Sequence, residues 1–162
     1  MAIIKDNFLT AGLNQFAMTS VRGMLSDWGL NAQVMEVEIS DEIQAPVLPG
    51  DAVKLVSSPK GIPTVDLAEG TDAIYGMVIW NTKSTTGLAG KRVGVLRDGG
   101  VMMMITDEKI TAGTPVYYDE ADGGVTATNP GAAKPIGIAL ENTEANADGV
   151  LFRVEVVKQP LA

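Results

Sequence analysis

Between Asp72 and Val157 the chain is cut into short apolar runs separated by Gly, Asp and Asn. The runs are DAIYGMVIWN (72–81), KRVGVLR (91–97), VMMMIT (101–106), TPVYYD (114–119), GVTAT (124–128), PIGIALEN (135–142) and GVLFRVEVV (149–157). Each has strand length, is rich in Val, Ile, Tyr and Thr, and is bounded by turn residues. Long apolar stripes at helical spacing are missing after residue 33. Even spacing of this kind builds a sandwich or a barrel. The pattern predicts an all-β fold, a small β-barrel or a jelly-roll-like β-sandwich, over residues 34–162.

The body opens on VMEVEIS (34–40), where Met35, Val37 and Ile39 alternate with polar residues as in a half-buried strand. PVLPGD (46–51) reads as a turn set by Pro49 and Gly50, and AVKLVS (52–57) as the next strand. Two Pro and two Gly make 57–71 a long loop, and NTKSTTGLAG (81–90) another. RDGGV (97–101) and EADGGV (120–125) carry the Asp-Gly hairpin signal. EANADG (144–149) makes a turn before the last strand. Met102, Met103 and Met104 are adjacent, so a strand there should turn at least one of them outward.

Residues 1–33 differ from this body. Their charges, Lys5, Asp6, Arg22 and Asp27, cancel. That leaves 10 basic and 18 acidic residues after position 33, so the whole net charge of −8 lies there. The early segment is apolar, with Phe8, Phe16, Met24, Leu25 and Trp28, and disordered tails have the opposite composition. Three glycines at 12, 23 and 29 oppose a long helix, although a short one could start at Thr19 or Ser20. Two readings fit. The segment folds back over the core, or it is an extended N-terminal arm, 1–33, that docks on a neighbour. In the second reading Phe8, Phe16 and Trp28, with Met24 and Leu25, are the partner-binding residues.

The chain offers little chemistry. It has no His and no Cys among 162 residues, which removes the commonest general base, the thiol nucleophile and the soft-metal ligands. No G-x-S-x-G elbow or phosphate loop is present, and Ser57 and Ser58 with Lys60 sit in a Pro/Gly stretch poorly suited to strict geometry. Asp119, Glu120 and Asp122, and Asp107 with Glu108, fall in turns without EF-hand spacing and read as solvated tips. The expectation is no enzyme, no metal and no cofactor. The acidic body repels phosphate backbones, so no nucleic-acid partner is expected. No apolar run approaches a membrane span, and MAIIKDNFLT lacks the layout of a signal peptide.

Several phrases together resemble a known family. They are RGMLSD (22–27), IQAPVLPGDAVKL (43–55), IYGMVIW (74–80), KRVGVLRDGGVMMMI (91–105) read as a strand pair, and ITAGTPVYYDEADGGVTAT (110–128). A Gly-Ile-Ala strand (137–139) and a Val-rich last strand follow. This looks like the structural cement, or decoration, proteins of tailed-bacteriophage heads. The resemblance covers most of the chain and is best over 91–157. It implies a β body on the capsid exterior of the virion, an N-terminal arm, the major capsid protein as partner, and a homo-oligomer, trimer before dimer. It implies synthesis in the host cytoplasm and no catalytic residues. Alternatives are another virion module of the tail or baseplate, and a small oligomeric all-β nucleotide hydrolase. The long 57–71 loop and the Met-rich strand depart from the family pattern.

Overall fold

The computed structural model describes residues 22–27, 32–58, 61–69, 71–79, 90–121, 123–131 and 133–157. Among them every regular element is a strand. In chain order these are β1 (Leu25–Asp27), β2 (Gln33–Ile39), β3 (Ala52–Ser57), β4 (Thr64–Leu67), β5 (Ile74–Val78), β6 (Arg92–Asp98), β7 (Val101–Thr106), β8 (Pro115–Asp119), β9 (Gly124–Thr126), β10 (Gly137–Ala139) and β11 (Val150–Val156). Strands β2 to β6 close a barrel in the order β2-β4-β3-β5-β6. The others form a six-stranded sheet in the order β1-β7-β11-β10-β8-β9. Pairing is antiparallel except between β2 and β4.

Two apolar cores hold this arrangement. Val37, Ile39, Val53, Val65, Tyr75, Val78 and Val95 fill the barrel. A second core lies between the barrel and the sheet. There Ala52, Met77 and Leu96, from barrel strands, pack with Met102, Met104, Phe152 and Val154 of the sheet. Strands β5 and β6 thus bury side chains on both faces. This is why the sequence around them is a continuous apolar run and not an alternation. The two lobes share a core and form one folded unit.

The all-β class follows from the strand pattern, but four local expectations are corrected. First, 57–71 is not only a loop, since Thr64–Leu67 forms β4, with Val65 fully buried in the barrel. Second, 97–101 is not a hairpin. β6 pairs with β2 and β5, whereas β7 pairs with β1 and β11. The Asp98-Gly99-Gly100 turn is a corner between barrel and sheet, and it is closed by Val156, whose carbonyl accepts from Gly99 and whose N–H donates to Gly100. Third, Met103 is on the opposite face of β7 from Met102 and Met104 but is buried like them. Fourth, Glu108 is not a solvated tip. Its carboxylate accepts from the Thr126 hydroxyl at 2.9 and 3.0 Å and from the Ala127 N–H at 3.1 Å. The hairpin expected at 120–125 is present, joining β8 to β9.

Candidate functional site

The sequence points to the N-terminal segment, and the structure shows how its last part is fixed to the body. Leu25–Asp27 adds β1 to the edge of the six-stranded sheet beside β7, with Leu25 opposite Met102 and Asp27 opposite Val101. Upstream of β1, Gly23 donates its N–H to the Met103 carbonyl at 2.7 Å, and Met103 donates to Met24 at 2.8 Å. The hydroxyl of Ser26 reaches the Val101 carbonyl at 3.4 Å. Leu25 is half-buried and packs on the core between barrel and sheet.

Arg22 locks this edge in place. Its Nη2 donates to Oδ1 of Asp51, and the two residues are 7% and 6% exposed. The other carboxylate oxygen of Asp51 accepts the Leu48 N–H at 2.7 Å, closing the Pro49-Gly50 turn. Arg22 Nε is buried without an acceptor. The fit depends on glycine at two places. Gly23 has φ 77°, and a Cβ there would stand 2.6 Å from the Gly50 nitrogen. Gly50 has φ 84°, and a Cβ there would stand 2.6 Å from Arg22 Cγ and Nε. Only a residue without Cβ tolerates both the left-handed backbone and that approach.

Tyr118, on β8, belongs to the same neighbourhood. Burial, and after it the Asp51 carboxylate, push its phenol well above the ordinary tyrosine value. A group with a raised folded pKa gives its full stabilisation below the unfolded value, here about 10. That contribution is lost as pH rises beyond it. A phenolate absorbance titration should therefore show one tyrosine ionising only with alkaline unfolding. If every tyrosine titrates with the fold intact, Tyr118 is not enclosed as described.

Of the five residues expected to bind a partner, Met24 and Leu25 lie within the described residues. Met24 and Leu25 are half-buried against the chain's own sheet. Phe8, Phe16 and Trp28 lie outside the described residues. Sequence reasoning passed over Arg22, Asp51 and Tyr118. The signal for Arg22 was its isolation as a basic residue in an apolar stretch, and nothing in the sequence points from it to Asp51. Among the described residues there is no group of three or more His, Cys, Asp or Glu that could hold a metal ion. No helix among them is long and apolar enough to cross a membrane.

The sequence model of the XM1 gp53 minor capsid protein family matches residues 14–156. The fold is similar to that in the crystal structure of the head fiber gp8.5 N base in bacteriophage phi29. That likeness has a TM-score of 0.51 at 13% identity and spans 82% of this chain and 99% of the other, so it is one of fold alone. No curated protein matches the chain.

Proposed function

The chain belongs to the XM1 gp53 minor capsid protein family, and from that premise we propose that it binds the outer surface of a phage head between capsomers and cements the shell. That it is a phage capsid-associated structural protein follows from the family. The cementing role rests on one observation above others. A nearly uncharged, apolar N-terminal segment is carried by a folded acidic body. Such a segment gains most by docking on another protein. A protein that binds only the assembled lattice stabilises it by mass action. Several copies linked as an oligomer, a trimer first and a dimer second, add their contacts through effective concentration. In this reading Phe8 and Phe16 are aromatic anchors before Arg22, Trp28 is one after β1, and Met24 and Leu25 root the segment in the body. The function is non-enzymatic and the site of action is the capsid exterior.

The test is co-sedimentation with empty heads. The cut must fall before Arg22, because residues 22–27 belong to the body's sheet. A chain lacking residues 1–20 should keep its melting temperature and lose head binding. Each aromatic anchor is worth about 2 kcal/mol, or roughly thirtyfold in Kd. A truncated chain that sediments with heads as the full chain does would remove the arm from the contact, and the loops at 57–71 and 81–90 would replace it. A second reading, the base of a head fibre, is favoured by the fold likeness. The two differ in outcome: cement raises the temperature at which filled heads rupture, and a fibre base binds without that effect.

A further inference from the structure

The anchoring of Arg22 also fixes a direction. Three separate stretches meet at its guanidinium. One is the N-terminal segment itself, and the second is the barrel turn Leu48–Asp51. The third is the β8–β9 turn, where a Cβ on Gly123 would stand 3.0 Å from Arg22 Nη2 and 3.2 Å from Asp51 Oδ1. Arg22, the first of the described residues, is therefore held to the body at this point. The other end of β1 lies at the first residue of β7. Asp27 is opposite Val101, Gln33 is opposite Asp98, and the end of β11 is bonded to Gly99 and Gly100. On the first side the hairpin tip reaches Ile105, where a Cβ on Gly124 would stand 2.8 Å from the Ile105 carbonyl oxygen, and the four steps from Ile105 to Val101 separate the two sides by roughly 13 Å. One pole thus holds Arg22, and the other carries the crossing to the barrel and the close of the last strand.

We infer that the pole where Arg22, the Leu48–Asp51 turn and the β8–β9 hairpin tip converge faces the capsid lattice, and that the Asp98–Val101 corner points away from it. This rests on the cementing reading above and adds the orientation. An arm that holds the lattice draws down the part of the body it leaves from. The hairpin tip, with Glu120 and Ala121 exposed, and the exposed stretch 44–46 before the barrel turn then become the body's own contacts.

The absence of cysteine from the chain makes the test direct. Ala121→Cys places a single thiol on the hairpin tip. Glu155→Cys places one on an exposed position of β11 opposite Val101, at the far pole. Each variant is labelled with a short benzophenone maleimide, bound to empty heads and irradiated. The expected result is severalfold more cross-link to the capsid subunit from position 121 than from 155. If the label at 121 blocks sedimentation with heads while the label at 155 leaves it intact, the orientation is supported by the block itself. Stronger cross-linking from 155, equal cross-linking from both, or none from either while both sediment would overturn it. Failure of the unaltered chain to sediment with heads would instead overturn the cementing reading, and this inference with it.

Discussion

Asp51→Ala should destabilise the body by about 3–5 kcal/mol, the range for breaking a buried ion pair by removing one partner. The loss has two parts. The Arg22 guanidinium would be left enclosed with no counter-charge, and its Nε already lacks an acceptor. The Leu48 N–H would lose the carboxylate oxygen that closes the Pro49-Gly50 turn. Denaturant unfolding at neutral pH gives the number, and a comparison isolates the cause. The double variant Arg22→Met with Asp51→Leu removes both charges and should recover much of the loss, because a buried pair is often replaceable by apolar residues of similar volume. If Asp51→Ala costs less than about 1 kcal/mol, within the ordinary range of point substitutions, the pair does not hold the N-terminal segment to the body.

Phe152→Ala should cost about 3–5 kcal/mol, the usual loss for a large buried aromatic. Phe152 is the largest fully buried side chain among the described residues and stands on β11, which lies between β7 and β10. It packs in the core that joins barrel to sheet, opposite Met104 in the register. Its removal therefore leaves a cavity at the junction of the two lobes. Leu140→Ala is the control. Leu140 is 39% exposed against 1% for Phe152, so its loss should stay within about 0.5 kcal/mol. Thermal melts of both variants decide this. Similar shifts for the two would mean that the lobes do not share a core.

The fold class was legible because strand and turn chemistry are local. Period-two alternation marks β2 and the second half of β11, and glycines with positive φ at 50, 99, 123 and 149 stand in turns expected from the sequence. What was not legible was non-local. Asp98-Gly99 announces a reversal, but whether the strands beside it pair with each other depends on β2 and β11, far away in the chain. Strand β4 is four residues long and offers Val65 as its one fully buried side chain, too little for a period to show. The link between Arg22 and Asp51 spans 29 residues, and the pairing of β1 with β7 spans more than 70. For the candidate site, the apolar character of residues 1–33 could be read directly. That Met24 and Leu25 would lie against the chain's own sheet could not, since a strand of three residues owes its existence to its neighbour.

The order of strands in the six-stranded sheet bears on how the protein is made. The barrel uses residues 33–98 without interruption and can close as soon as they leave the ribosome. The sheet cannot, because β11, inside it between β7 and β10, follows all the other described strands in the chain. Until then β7 has no partner on that side, and the core faces of Ala52, Met77 and Leu96 on the finished barrel lack their cover from Phe152 and Val154. A nascent chain stopped short of Val150 would therefore present a closed barrel with one sticky flank. Completion of β11 is the step that covers that flank.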